Sequence, residues 1–297
     1  MHVFVTGAAG FIGKAVVKEL IAHGHSVTGL TRSENSASTI TALGGTPLPG
    51  DLKDLDSLKR GAAAADGVIH LAFIHDFSDF AGACATDRAA ITAMAETLTG
   101  TGKPFVHASG TMMCEKDKIA TEDSRHTPDP PFDERSKSAN LIYDLAEKGV
   151  RGSVLRFAPT VHADGTGGLT GFLIDVFKGK GGPVVYVGDG QARWPACYRD
   201  DAAVLARLAL EKGTAGATYH AVTEQGVKLK DVVEMIGKIL KVPVQNRSVE
   251  EAVPLLGMFA HLMNSDNPAS SDKTRKELGW QTTGPTLIND FEAKLAK

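Results

Sequence analysis

The sequence predicts an α/β protein built on a doubly wound parallel sheet, with a smaller, mostly helical lobe at its C-terminal end. Three observations carry this. Short apolar runs alternate with longer segments of helical period through the first half of the chain. The apolar runs are greasy on both faces, as strands covered by helices on either side must be. After Pro159 the texture changes to glycine-rich loops followed by a succession of helical patterns. The expected division is residues 1–160 for a nucleotide-binding domain and 161–297 for a substrate-binding lobe that does not fold independently.

Strands are expected at His2–Thr6, Ser26–Thr31, 67–72, 104–109 and 153–157, with a weaker one over 46–48. Ile12, Ala15, Val16, Glu19 and Leu20 set one helical face, and Gly24 is a natural stop after it. Further helices are expected over 78–98 and 135–148. In the second half, 165–168 and 179–183 read as loops, and Gly188-Asp189-Gly190 as a turn. Helices follow over 200–211, 228–240, 249–262, 271–278 and 286–295. The short strands Val184–Val187 and Thr218–Ala221 need neighbours to pair with.

Composition narrows the function classes. The 297 residues are 42% hydrophobic and 23% charged, with a formal net charge of −3. That is the balance of a globular protein, and it gives no electrostatic reason to expect nucleic acid or an anionic membrane as partner. Lys273, Arg275 and Lys276 alternate with Asp272 and Glu277 and read as a solvated helix face. The chain enters the apolar run Val3-Phe4-Val5 almost at once, without the basic start and small-residue cleavage site of an export signal. The greasiest stretch, 252–263, is interrupted by Pro254 and His261 and is too short to span a bilayer. A cytoplasmic protein is therefore expected. Cys84, Cys114 and Cys197 are odd in number, far apart and without a CxxC pair, which argues against a disulfide framework or a structural zinc site. A reactive thiol among them is left open. His, Asp and Glu show no metal-ligand spacing, so no metal is expected.

The most informative motif is Thr6-Gly7-Ala8-Ala9-Gly10-Phe11-Ile12-Gly13. It follows a buried strand and opens an amphipathic helix, the context in which such a turn binds a dinucleotide pyrophosphate. Gly7 allows the sharp turn, Gly10 lets the backbone approach the phosphates, and Gly13 permits close helix–sheet packing. The first domain is thus read as a Rossmann domain. The next strand ends Gly29-Leu30-Thr31-Arg32-Ser33, with no carboxylate before Glu34. An acid there would bind the ribose hydroxyls of NAD. Arg32 instead suits the 2′-phosphate of NADP, with Ser33 supplying a hydroxyl or a helix cap. NADP is favoured over NAD.

With that motif in hand, the chain resembles the extended and atypical short-chain dehydrogenase/reductases, the group that contains the NAD-dependent epimerases and dehydratases. The resemblance runs nearly the whole length. Gly50-Asp51-Leu52 is similar to the family's adenine-contacting acid–apolar pair. The segment through Leu71, Ala72 and Phe73 resembles the fourth strand's end beneath the cofactor, and Pro159-Thr160-Val161 the segment beside the nicotinamide. Leu278-Gly279-Trp280 is similar to the family's terminal helix. The family's chemistry rests on a Ser or Thr hydroxyl and a YxxxK pair, and here the chain departs from it. Ser109 and Thr111 flank Gly110 where the hydroxyl is expected, and no tyrosine lies between Thr111 and Ile142. One register sets Arg135 at the lysine position and Pro131 at the tyrosine; the other sets Lys137 and Asp133 there. The first keeps the helix-to-strand spacing before Arg156. Tyr143 falls inside the helix and reads as a packing residue.

The resemblance implies an NADP(H)-dependent oxidoreductase reducing a carbonyl of a small or moderately sized molecule. Ser109 and Thr111 would orient the substrate oxygen and Arg135 would anchor the ribose. His75, beside Asp76, is the first candidate to supply the proton, with water as the other source and His162 as a weaker candidate. Arg193, Trp194 and Tyr198 are expected at the substrate. Leu255, Leu256, Met258, Phe259 and Met263 suit a greasy helix beside the cleft, ordinary core packing, or a homodimer helix. Two other readings stay open. One is an epimerase or lyase with a tightly held cofactor; the other is a non-catalytic redox sensor, which the missing tyrosine favours.

Overall fold

The computed structural model describes residues 1–116, 118–124, 126 and 132–295. The chain begins as a regular alternation: β1 (His2–Thr6), α1 (Phe11–Ala22), β2 (Ser26–Thr31), α2 (Glu34–Ala42), β3 (Thr46–Pro49), α3 (Leu55–Ala64), β4 (Gly67–His70), α4 (Phe80–Leu98), β5 (Pro104–Gly110), α5 (Phe132–Asp144) and β6 (Arg151–Phe157). The second half runs β7 (Thr160–His162), α6 (Gly168–Lys180), β8 (Val184–Val187), β9 (Arg193–Tyr198), α7 (Arg199–Lys212), β10 (Thr218–Ala221), β11 (Glu224–Lys228) and α8 (Leu229–Leu240). It closes with β12 (Val244–Arg247), α9 (Val249–Leu256), α10 (Phe259–Met263), α11 (Asp272–Leu278) and α12 (Leu287–Leu295).

Seven strands form one parallel sheet in the order β10-β6-β5-β4-β1-β2-β3. Val3, Phe4, Val5, Val68, Ile69, Phe105 and Val106 are fully buried in it, because helices cover both faces. On one face α1 packs against α7; on the other α3 packs against α4, and α4 against α5. The chain winds from β1 towards β3, then restarts with β4 on the opposite side of β1. Ligands of such sheets sit at that reversal, outside the C-terminal ends of the strands.

The remaining strands form a three-stranded sheet β11-β9-β7 and a pair β12-β8. With α6, α8, α9, α10 and α12 they enclose a separate apolar core around Leu173, Phe177, Trp194, Val233 and Ile236. Thr218–Ala221 finds its neighbour in the large sheet, where β10 lies parallel to β6. The segment after residue 160 therefore contributes to both layers: α7, β10 and α11 complete the side of the large sheet, and most of the rest builds the lobe. The helix expected over 249–262 is interrupted at Gly257, whose φ of +58° ends α9 before α10 begins. Helix α6 and strand β9 occupy segments that the sequence pattern did not mark. No helix among the described residues is long and apolar enough to cross a membrane.

Candidate active site

The phosphate-binding turn is built by crowding. Gly7 has φ +68°, and a Cβ there would lie 2.8 Å from the Ala72 backbone nitrogen. A Cβ on Gly13 would come within 2.0 Å of the Gly7 carbonyl oxygen, so the first turn of α1 can lie on the loop only without a side chain. Gly10 caps α1 with no side-chain hydrogen bond, and the first turn carries no acid. The leading N–H groups of α1, which lack intrahelical acceptors, thus stay available to an anion, reinforced by the helix dipole.

A cavity of about 1170 Å³ opens over this turn. Gly7, Gly10, Phe11, Ile12 and Gly13 form its floor. On the β2–β3 side it is lined by Arg32, Ser36, Asp51, Leu52 and Lys53; on the β4–β6 side by Leu71, Ala72, Phe73, His75, Ser109, Gly110, Arg135, Pro159 and Val161. Arg32 is exposed and makes no ion pair among the described residues. Asp51 accepts from the Lys53 and Asp54 backbone nitrogens through Oδ1, at 2.6 and 3.1 Å. Ser33 does not line the cavity. Its Oγ caps α2 by accepting from the Ser36 nitrogen at 3.2 Å, and Ser36 takes the lining position.

Thr6 and Thr160 also lie outside the lining. Thr6 Oγ1 accepts from the Ala72 nitrogen at 3.2 Å and bonds His70 Nδ1 at 2.6 Å, bracing the two strands that flank the crevice. Thr160 is buried, with Oγ1 at 3.4 Å from Thr170 Oγ1.

Arg135 is the centre of the β4–β6 side. It projects from α5, donates to the Ala108 carbonyl at 2.6 Å, pairs with Asp87 of α4, and stacks on Phe73 with its guanidinium carbon 4.3 Å from the ring centroid. Asp87 is fully buried and also meets His70 Nε2 at 3.2 Å. Burial alone would raise the Asp87 pKa, but the Arg135 charge and the His70 hydrogen bond outweigh it and hold the carboxyl well below its ordinary value. A polar chain thus connects Thr6, His70, Asp87 and Arg135 beneath the cavity. Lys137 turns away and pairs with Glu134, while Asp133 lines a separate shallow depression. Of the two candidates, Arg135 and not Lys137 lines the cavity; Pro131 lies outside the described residues.

His70, Asp87 and His107 bring possible ligand atoms within 4.8 Å of one another, although they come from three distant stretches of sequence. The Arg135 guanidinium already supplies Asp87 with a cation, and His70 bonds that carboxylate, while both ring nitrogens of His107 are buried without a hydrogen-bond partner among the described residues. His107 stacks on His70 at 5.7 Å, and burial holds its pKa far down, keeping it neutral.

Ser109 Oγ is buried at the cavity wall with no hydrogen-bond partner among the described residues. Thr111 Oγ1 is likewise unpartnered but is fully buried and outside the lining. His75 stands at the rim, its pKa lowered first by burial and then by Arg135. Asp76 does not orient it: that carboxylate accepts from the Ser78 nitrogen at 2.9 Å and caps a short 3-10 turn.

Several expected site residues have structural positions instead. Arg193 forms a two-pronged pair with Asp266, at 3.1 and 2.7 Å. Trp194 is buried and donates to the Ser265 carbonyl at 3.3 Å. Tyr198 packs edge-on against His162, 5.7 Å between centroids. None of the three lines the cavity, because β9 carries them into the sheet of the lobe. His162 is buried and bonds Asp290 at 2.9 Å. Tyr143 bonds Thr218 at 2.8 Å and ties α5 to β10. All three thiols are buried, which pushes Cys84 up to about 11 and raises Cys114 and Cys197, so none is poised as a thiolate.

The model of the NAD-dependent epimerase/dehydratase family matches residues 3–223. The chain belongs to that family. The family member is 46% identical over 292 residues to an uncharacterized protein of Schizosaccharomyces pombe, covering 98% of each chain. It is also similar to 4-hydroxy-2-methyl-3-oxo-4-farnesyl-3,4-dihydroquinoline-1-oxide ketoreductase of Stigmatella aurantiaca, at 26% identity over 94% of this chain and 92% of the relative. Among solved structures, a dTDP-glucose 4,6-dehydratase from Streptomyces venezuelae with NAD bound aligns with a TM-score of 0.79 and 18% identity, covering 98% of this chain and 96% of that one. At that identity the likeness establishes the fold alone. For this family member, the uncapped α1 terminus and the glycine crowding fit a bound nicotinamide dinucleotide.

Proposed function

We propose that the protein is an NADP(H)-dependent reductase of a carbonyl group. The observation that carries this reading is that one cavity runs from the glycine turn to Ser109, Arg135 and His75. Arg32 and Lys53 on the β2–β3 side favour NADP, since two cations and no β2-terminal carboxylate face a 2′-phosphate. The ketoreductase relative supports carbonyl chemistry.

A bound nicotinamide dinucleotide would supply the hydride. The chain's own groups deal with the oxygen. Ser109 Oγ, without a hydrogen-bond partner among the described residues, donates to the substrate carbonyl. Arg135, immobilised by Asp87, Ala108 and Phe73, sets a fixed positive field where negative charge grows on that oxygen. It cannot give up a proton itself. His75, hydrogen-bonded to the Phe73 backbone and neutral at pH 7, stands where it can relay a solvent proton to the alkoxide. The products are the alcohol and the oxidised cofactor, with the proton drawn from solvent.

Calorimetric titration with NADPH and NADH, followed by 340 nm absorbance with aldehydes and ketones, tests the proposal. Tight NADPH binding with carbonyl-dependent oxidation is expected. A second reading, a redox sensor, is favoured by the absence of a tyrosine from the cavity lining. It predicts different affinities for oxidised and reduced cofactor and no turnover, which would overturn the reductase. Cofactor that survives purification, with no net absorbance change, would point instead to epimerase or lyase chemistry.

A further inference from the structure

Beyond the glycine turn, the wall of the cavity is apolar, with Ile74, Phe80, Met112, Phe132, Met258 and Phe259 among its lining residues. They come from the segments after β4 and β5 and from the α9–α10 turn, so the sheet order sets them on the nicotinamide side. The charged lining residues divide differently. Arg32, Asp51 and Lys53 lie at the β2–β3 end, where the adenosine half of a dinucleotide belongs. The nicotinamide end has only His75 and Arg135 among the described lining residues, and Arg135 is already bound to Asp87 and the Ala108 carbonyl. Lys116 Nζ stands 5.8 Å over the Phe132 ring but is not a lining residue.

We infer that the substrate is an uncharged carbonyl compound with an aromatic or branched apolar body, and not a nucleoside diphosphate sugar. A diphosphate needs unengaged cations or a helix N-terminus to replace its hydration. Among the described residues the wall offers no unengaged cation, and α6, which starts at it, has the Leu169 nitrogen already donated to the Pro159 carbonyl at 3.0 Å. Burying an unpaired anion against methionine and phenylalanine is strongly unfavourable. An apolar body, by contrast, gains with every methylene it removes from water. The methionines widen the tolerance, because their unbranched side chains adjust to irregular shapes. Phe172, 40% exposed, lies 4.5 Å from Phe259 and extends the aromatic surface to the rim.

This inference rests on the carbonyl-reductase reading for the position of the nicotinamide, so its test separates the two. Protein saturated with NADP⁺ is titrated with phenyl alkyl ketones of increasing chain length, with phenylglyoxylate as an anionic counterpart, and with UDP-glucose. The dissociation constant should fall about threefold to fourfold per added methylene while the wall lasts. Phenylglyoxylate should bind at least tenfold more weakly than the neutral ketone, and UDP-glucose should not compete with it. Met258→Arg, at a position 40% exposed, adds a cation at the rim and should narrow the gap between phenylglyoxylate and ketone, both measured at saturating NADP⁺. Tighter binding of UDP-glucose or phenylglyoxylate by the native protein, or a constant independent of chain length, would overturn the inference. Graded ketone binding without NADPH oxidation would support it and sink the reductase alone.

Discussion

Arg135 is held by a buried carboxylate, a backbone carbonyl and an aromatic face at once. Asp87→Asn removes the charge that balances it, with Arg135 itself only 11% exposed. Breaking such a pair costs about 3–5 kcal/mol, which chemical denaturation would register, and turnover should fall with it. An unchanged midpoint would remove Asp87 from the support of the site. Arg32→Ala should weaken NADPH binding roughly ten- to hundredfold, the value of a charge-assisted phosphate contact, and leave NADH nearly untouched. Equal loss for both cofactors would assign NADP preference elsewhere. The place of Arg32 in the cavity lining was legible from the sequence because it follows a strand at a fixed offset from the glycine turn. Asp87 was not: its partners Arg135 and His70 lie 48 and 17 residues away. The available signal was a carboxylate on the apolar face of α4, among Ala83, Ala90, Ile91 and Met94. Arg193, Trp194 and Tyr198 misled for the opposite reason. Residue types suited to a substrate site are equally suited to an ion pair and a core when a short strand takes them inward.

At the level of elements, the α1 turn leaves no room for change. Gly13→Ala would drive a methyl group into the Gly7 carbonyl at 2.0 Å, and relief requires the helix to lift off the loop. A loss of about 1–3 kcal/mol in stability is expected from overpacking, together with loss of nucleotide binding by calorimetry. Retained affinity would mean that the turn is not the phosphate site. Strand and helix positions in the first half could be read because each carries a repeated pattern between punctuating glycines. The lobe was harder. Helix α6 begins at Gly168, in a stretch whose glycines at 165, 167 and 168 all have positive φ, and the glycines masked the helical period that follows. The interruption at Gly257 was equally hidden, since 249–262 keeps its apolar pattern across the break.

Across the whole molecule, neutral buried histidines set a pH limit. Arg156 donates towards the ring nitrogens of His220 and His126, at 3.3 Å in each case, so those rings are held as acceptors. Burial, followed by the Arg156 charge, lowers His220 to about 3 and His126 to about 4 from an ordinary 6.5. Below pH 6.5 the unfolded chain therefore binds protons that the folded chain refuses, and stability falls as pH drops towards the folded values. The slope integrates to about 2 kcal/mol for His220 alone between pH 6.5 and 5. Denaturant midpoints measured at pH 7.5 and 5 should show the loss, and His220→Gln should shrink it. A flat profile would mean that the pair is not neutral in the fold.

The strand β10 joins the sheet from far down the chain. During synthesis β6 emerges with one edge bare, and its cover, Thr218–Ala221, leaves the ribosome more than sixty residues later. The far edge is β3, only four residues long and carrying Pro47 and Pro49, a poor template for a stray strand. The nascent protein is thus guarded on one side from the outset and open on the other until the lobe is under way. A chain stopped at residue 160 would keep that opening permanently and should associate through it, whereas one that extends past β10 should not.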